Sequence, residues 1–381
     1  MTRRVLVLGS SADLYGAPRV LLAAVEALRA GGWSVVVALP AGGPLVGELV
    51  DVGAVVKVLP DFALRRRYLR PSRLPRLLWS QLALLRWVIQ LRRKGPIDLV
   101  YSNTLSIIAG PVAAKLLRAR HLWHVHEILE SPNWLAALLA KLASLGSTVI
   151  VCPSAAVAAH LSSIAPRSQR KLVVLPNCID AVNLGGLDPP SRGETFRVGC
   201  IARLHPWKGQ SVAIAAVAAA QQAGVPVSLS LFGDAFEGNE HIERQLRQQV
   251  SDLGLNSVVQ FMGHVSDRAV IYGAIDAVIV PSTTPEPFSL VCLEAQASAR
   301  PVIAPDAGGP REIVLHGATG LLVESGSATA FSEAIVLLWR NPGLATAMGL
   351  RGRARVLQKY SPAVFGDGLM EILDRIRLGT K

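Results

Sequence analysis

Two carboxylates, Glu286 and Glu294, stand with seven residues between them in the segment Glu286-Pro-Phe-Ser-Leu-Val-Cys-Leu-Glu294. The preceding stretch, Ile275 to Pro281, reads as a short buried strand, and Ser289 to Ala299 has the apolar spacing of a helix. The pair therefore brackets a helix N-terminus. The first backbone amides of a helix lack intrahelical partners and carry partial positive charge, so the backbone from Phe288 through Ser289, Leu290 and Val291 suits a diphosphate. Glu294, about one turn or roughly 5 Å further along the axis, is placed for ribose hydroxyls, and Glu286 for whatever lies beyond the phosphates. Upstream, a buried strand from Arg197 leads to Arg203 and Lys208, followed by Gly209 and a helix from about Ser211. A planar guanidinium and a mobile ammonium at the carboxyl end of a parallel strand suit two adjacent phosphates. The chain has no Asp-x-Asp pair, so these cations take the role of a divalent ion; no metal and no cofactor is expected. Each feature alone also fits a solvated surface. Their combination points to a sugar nucleotide.

The C-terminal half carries further motifs in a fixed order: Leu175-Pro-Asn-Cys-Ile-Asp180, Ala202-Arg-Leu-His-Pro-Trp-Lys-Gly209, Leu231-Phe-Gly-Asp234, Phe261-Met-Gly-His-Val265, Asp276 to Glu294, and Gly308-Gly-Pro-Arg-Glu312. With these, the chain resembles the retaining glycosyltransferases of family 4. The resemblance implies the GT-B fold, an α/β architecture of two Rossmann-like, doubly wound domains facing a central cleft, with a C-terminal helix crossing back to the first domain. It also implies that Arg203 and Lys208 bind the donor diphosphate, Glu286 contacts the transferred sugar, Glu294 binds the ribose, and Gly263, His264 and Val265 line the base pocket. Ser289 departs from the pattern, which has Gly there; its side chain either crowds the sugar or adds a hydrogen bond.

The N-terminal half matches more weakly. Strand Arg4 to Leu8 runs into a loop with Tyr15-Gly16-Ala-Pro-Arg19, and Gly16 either lets the backbone approach a phosphate or acceptor or simply shapes the turn. Leu99 to Thr104 and Leu122 to Glu127 are strand ends expected at the same cleft. His126-Glu127 matches a His-acid step that the family places beside donor sugar and acceptor. His124 and His126 share a strand face, His126 being nearer the carboxyl end, while His124 fits a hydrogen-bonded core histidine. A His-x-His metal pair lacks a third ligand of suitable spacing.

Positioning these residues takes two domains, and 381 residues, half of them hydrophobic, are enough to bury two cores. Val/Leu/Ile strands alternating with Ala-rich helices imply parallel sheets covered on both faces. The expected division is 1–180 with a terminal helical segment 360–381, then 195–359, with a hinge that holds Gly185-Gly186 and Pro189-Pro190. Four scattered cysteines form no Cys-x-x-Cys pair, the apolar strand near the N-terminus is too short for a signal peptide, and no uninterrupted apolar run reaches the length of a membrane span. A cytoplasmic location is expected.

The net charge of +12 concentrates between Asp61 and Asp98, where no acidic residue occurs. Residues 65–94 hold Arg65, Arg66, Arg67, Arg70, Arg73, Arg76, Arg86, Arg92, Arg93 and Lys94, interleaved with Tyr68, Trp79, Trp87 and a Leu-rich helix from Leu77 to Leu91. This composition suits an anionic membrane surface, and equally a core helix with a solvated collar. No nucleic-acid module accompanies it. On the membrane reading the acceptor is a lipid or lipid-linked glycan at the inner membrane face. The expected function is hexosyl transfer from a UDP- or GDP-sugar to a hydroxyl acceptor in polysaccharide or cell-surface glycan biosynthesis, with a non-catalytic sugar-nucleotide-binding or partner protein as the alternative. A dinucleotide-dependent dehydrogenase is disfavoured, because Gly9-Ser-Ser-Ala lacks the second glycine of Gly-x-Gly-x-x-Gly.

Overall fold

The computed structural model describes residues 2–129, 132–181, 184, 186–188, 193–235 and 238–378. Gly185, Pro189 and Pro190 of the expected hinge lie outside the described residues, as does the side chain of Arg66. The chain divides into two compact units, Met1–Cys178 with Pro362–Lys381, and Ile179–Ser361.

Each unit is built on one parallel sheet. The first holds β1 (Arg4–Leu8), β2 (Ser34–Leu39), β3 (Val55–Val58), β4 (Leu99–Asn103), β5 (Arg120–His124), β6 (Val149–Cys152) and β7 (Leu172–Val174), in the spatial order β3-β2-β1-β4-β5-β6-β7. The second holds β8 (Phe196–Ile201), β9 (Val227–Phe232), β10 (Val259–Gly263), β11 (Ala277–Ile279), β12 (Val302–Pro305) and β13 (Gly320–Val323), in the order β10-β9-β8-β11-β12-β13. Every strand pair in both sheets is parallel. In each sheet the chain first winds outward from one strand and then returns to its other side. That reversal falls between β1 and β4 in the first sheet and between β8 and β11 in the second. Open α/β sheets bind ligands beyond the carboxyl ends of such strands.

Apolar runs rather than alternating patterns make these strands, because both faces are covered. Val5 and Val7 of β1 pack with Leu21, Leu28, Phe365 and Leu369, whereas Leu6 and Leu8 of the same strand pack with Leu84, Val88 and Val100 on the opposite face. Phe365 and Leu369 belong to the terminal helix Pro362–Leu378, which lies against the helix Ala17–Ala30 and completes the first unit. In the second unit Val198, Leu229, Ile214 and Val217 form one core, and Val278, Val302, Cys292 and Leu293 the other.

The Leu-rich helix runs from Leu74 to Arg93. Its buried stripe is Leu77, Ser80, Leu84, Val88 and Leu91, at the spacing of a single helical face. The opposite face exposes Leu78, Trp79 and Leu82 beside Arg76 and Arg86, while Trp87 packs partly against the core. Asp61, which the sequence marks only as the border of the basic stretch, accepts from Arg65 Nε at 2.9 Å and pairs with Arg67. Arg65 also donates to the Ser10 carbonyl at 2.9 Å. Arg65 thus staples the loop to the domain, and Arg67 braces the loop on Asp61. No helix among the described residues is long and apolar enough to cross a membrane.

Candidate functional site

In the second unit the reversal point brings two loops together. The loop after β8 reaches a short 3-10 turn at Pro206–Lys208, and Gly209 then starts the helix Gln210–Gln222. Gly209 has φ +72°, and a Cβ there would fall 1.9 Å from the Pro281 carbonyl oxygen, so only glycine lets this turn sit against the segment after β11. The contact delivers Lys208 to Glu286. Lys208 Nζ lies 2.6 Å from Glu286 Oε1, and Ser282 Oγ donates to that same oxygen at 2.5 Å. Glu286 is buried, its side chain only 5% exposed against 24% for Lys208, and the ammonium also lies 4.1 Å from the centroid of the Trp207 ring. On the far side, the Glu286 carbonyl accepts from the Gly309 amide at 2.8 Å, and a Cβ on Gly308 would lie 2.5 Å from that carbonyl. The Gly308-Gly309 turn thus clamps the backbone of Glu286.

Ser289 is the N-cap of the helix Leu290–Ala297, and its Oγ accepts from the Cys292 amide at 3.4 Å. The hydroxyl here serves as a helix cap, a role the sequence reading did not name. The amides of Leu290 and Val291 open the same turn and have no carbonyl four residues back within the helix. Lys208, Ser282, Glu286, Ser289 and Val291 line one small cavity floored by Cys200, whose thiol burial pushes up to about 12. Arg203 is half-buried after β8, and its carbonyl accepts from Gln210 at 2.8 Å; it is not part of that cavity lining. Phe288 packs toward Tyr360, with ring centroids 6.3 Å apart.

Glu294 sits one turn into the helix, 7% exposed. Arg268 Nε is 3.1 Å from one of its oxygens, and Tyr272 OH donates to the other at 3.0 Å. Burial raises the Glu294 carboxyl pKa, and the charge of Arg268 and the Tyr272 hydrogen bond oppose that rise. Gly263 ends β10, with exposed His264 and partly buried Val265 next in the chain, ahead of the helix Arg268–Gly273.

The first unit assembles a second polar cluster at its own reversal point. Gly16 precedes the helix Ala17–Ala30, and Asn103, the last residue of β4, donates to the Ala17 carbonyl at 3.1 Å. Its Oδ1 lies 2.9 Å from His126 Nε2. With the amide nitrogen of Asn103 engaged as a donor, that nitrogen of His126 carries the proton and Nδ1 keeps the lone pair. Burial holds His126 neutral, its pKa lowered to about 3. Glu127 is half-buried, accepts from the amides of Leu105 and His126 at 3.1 and 2.9 Å, and desolvation raises its pKa to about 7. His124 is a core residue, 2.5 Å from Tyr101 OH. Thr104, just after β4, holds φ +91°, a strained value for a β-branched residue.

The structure therefore groups Lys208, Glu286, Ser289 and Val291 around one cavity and ties the helix start at Ala17, next to Gly16, to His126 through Asn103. Ser282, Arg268 and Tyr272 were not found from the sequence. The i, i+4 spacing of Arg268 and Tyr272 was the one available signal, and it is common to many helices. Among the described residues no group of three or more His, Cys, Asp or Glu side chains is gathered as metal ligands.

Comparison with known proteins agrees with this architecture. Residues 188–355 match the model of glycosyl transferases group 1, and residues 15–182 that of glycosyltransferase family 4. The mouse alpha-1,3/1,6-mannosyltransferase ALG2 is 34% identical over 148 residues, 38% of this chain and 35% of the relative. A GDP-mannose-dependent monoacylated alpha-(1-6)-phosphatidylinositol monomannoside mannosyltransferase of Corynebacterium glutamicum is 34% identical over 217 residues, 52% of this chain and 55% of that protein. The matches thus span about a third to just over half of these relatives. Among solved structures, Anabaena Alr3699/HepE in complex with UDP and glucose superposes with a TM-score of 0.82 at 26% identity, covering 97% of this chain and 99% of that one. The sucrose-phosphate synthase of Thermosynechococcus elongatus shares the fold, with a TM-score of 0.78 at 20% identity over 99% of this chain and 100% of its own. Two parallel Rossmann-like sheets and family matches to both halves make this chain a member of the family-4 type of GT-B glycosyltransferases.

Proposed function

We propose that this protein transfers a hexosyl group from a nucleoside-diphosphate sugar to a hydroxyl acceptor with retention at the anomeric carbon. The observation that carries the reading is the Lys208–Glu286 pair at the reversal point of the second sheet, next to the helix start capped by Ser289. Lys208, Arg203 and the amides of Leu290 and Val291 are the groups we assign to the diphosphate, where they stabilise charge growing on the leaving group. Glu286 is assigned to the sugar hydroxyls. One of its oxygens already accepts from Lys208 and Ser282, which disfavours it as the nucleophile of a double displacement. The acceptor is therefore read as attacking from the face that the diphosphate leaves, with a diphosphate oxygen taking its proton. This scheme asks for no metal and no cofactor. His126, neutral with its tautomer set by Asn103, is suited to accept a hydrogen bond from a hydroxyl rather than to abstract a proton.

A lipid-linked or membrane-borne glycan precursor is the acceptor class that the first unit supports, at an anionic membrane surface. Trp79 is 58% and Trp134 60% exposed, near exposed Leu78, Leu82 and Leu138 and the arginines 73, 76 and 86. The helices that carry them, Leu74–Arg93 and Asn133–Gly146, both pack beside Gly110–Leu117.

The first test is thermal-shift titration with UDP, GDP and ADP and their sugar forms, with and without magnesium, followed by donor hydrolysis and transfer assays. Stabilisation by one nucleotide family without magnesium, with sugar transfer to an acceptor, supports the proposal. Stabilisation without any turnover points to a sugar-nucleotide-binding protein instead.

A further inference from the structure

Glu294 reaches its position already held from one side. The helix Arg268–Gly273 presents Arg268 and Tyr272, four residues apart and so on one face, to the two oxygens of a single carboxylate. That helix is itself fixed at both ends. Asp267 caps it by accepting from the amides of Ala269 and Val270 at 2.9 and 3.4 Å. At the other end buried Arg300 donates to the carbonyls of Tyr272 and Ile275, both at 2.8 Å. Tyr272 is fully buried, and burial raises its pKa well above the usual phenol value, so it remains a neutral donor. With Arg268 on one oxygen and Tyr272 on the other, the plane of the carboxylate is fixed, and its two oxygens stand side by side as a vicinal diol requires.

We propose that Arg268 and Tyr272 are positioning residues that hold Glu294 ionised and fixed in orientation so that it captures the 2′- and 3′-hydroxyls of the donor ribose. The inference rests on the reading of Glu294 as the ribose carboxylate. Without the guanidinium, a carboxylate this buried is pushed toward its protonated form, which has lost one acceptor site and turned it into a donor. Without the phenol, the plane of the carboxylate is free to turn. Both changes should weaken recognition of the diol and leave the diphosphate contacts alone. Arg268 and Tyr272 would then decide how strictly the site demands a ribose, through a residue they touch rather than through the ligand.

Calorimetric titration of the full chain with UDP, GDP and ADP, and with their 2′,3′-dideoxy forms, separates the possibilities. Wild type is expected to prefer the ribose form. Glu294→Gln should abolish that preference. Arg268→Gln and Tyr272→Phe should each lower affinity for the ribose form by about tenfold, the loss of one charge-assisted hydrogen bond, and leave the dideoxy form unchanged. Arg268→Lys should recover part of the loss, and Arg268→Gln with Glu294→Gln should bind no worse than Glu294→Gln alone. If Glu294→Gln keeps the ribose preference, the ribose reading fails. If Glu294→Gln loses the preference while Arg268→Gln and Tyr272→Phe retain it, or weaken both ligand forms equally, the ribose reading stands and the positioning role is overturned.

Discussion

Replacing Glu286 by Gln should separate binding from turnover in opposite directions. The ammonium proposed for the diphosphate is paired with Glu286 at 2.6 Å, and the carboxylate is 5% exposed. A phosphate that takes up Lys208 must therefore compete with a fixed anion, and once bound it lies on the order of 5 Å from that anion. At an effective dielectric constant of about 20, two unit charges at about 5 Å repel by roughly 3 kcal/mol, and solvent at the half-open Lys208 reduces this to about 1.5–3 kcal/mol. Glutamine keeps the shape and can still accept through Oε1 from Lys208 and Ser282, but the charge is gone. Bare nucleoside diphosphate should therefore bind Glu286→Gln about tenfold or more tightly than wild type, as measured by isothermal titration calorimetry. Transfer from the intact sugar nucleotide, followed by diphosphate release, should fall at least tenfold, since the sugar loses a charged acceptor. Unchanged or weaker diphosphate binding in Glu286→Gln would refute the competition argument, and wild-type turnover would remove Glu286 from the sugar site.

Lys208→Ala should lower both diphosphate affinity and turnover at least tenfold and, by leaving the buried Glu286 carboxylate without its cation, also lower the unfolding midpoint; equal affinity would show that the ammonium does not meet the phosphates. Replacing Arg73, Arg76 and Arg86 by Glu should weaken binding to anionic vesicles at low salt by at least two orders of magnitude, given about 1 kcal/mol per basic residue near such a surface. Unchanged cosedimentation would leave that face solvated. Stability below neutral pH should reflect His121, His124 and His126, which burial keeps neutral, His121 down to about 4 and His126 to about 3. The unfolded chain protonates these residues near pH 6.5, so their contribution is fully present above about pH 6.5 and lost as pH falls toward 4 and 3. Glu127 acts in the opposite sense. Raised to about 7, it stays protonated in the folded state between roughly pH 4.5 and 7, where the unfolded chain has released its proton. Glu127→Gln should therefore steepen the acid-side loss of stability by about 1.4 kcal/mol per pH unit between pH 5 and 6.5, as read from urea unfolding. An unchanged slope would show that the Glu127 carboxyl is ionised there.

Local chemistry made much of this legible in the chain itself. Short Val/Leu/Ile runs alternating with Ala-rich helical segments are the pattern of parallel sheets covered on both faces, so the sheet type followed from composition and period. The helix start at Ser289 follows from what that residue does to the backbone within a few positions of itself, its hydroxyl accepting from the Cys292 amide. The spacing of Glu286 and Glu294 places one carboxylate on a loop and the other in a helix whatever surrounds them. Other features depend on which strands are neighbours, which short-range spacing does not encode. Lys208 meets Glu286 across 78 residues because β11 pairs with β8. Asn103 meets His126 across 23 because β5 pairs with β4. Asp61 reads as the edge of a basic stretch until the loop folds back and Arg65 and Arg67 converge on it. Arg268 and Tyr272 look like ordinary helix positions until packing presents them to a buried carboxylate. The sequence by itself determined which groups are available and how each is mounted on its strand, loop or helix. The tertiary structure alone decided which of them meet, because side-chain pairing across a sheet is set by strand order, and strand order is a property of the whole core.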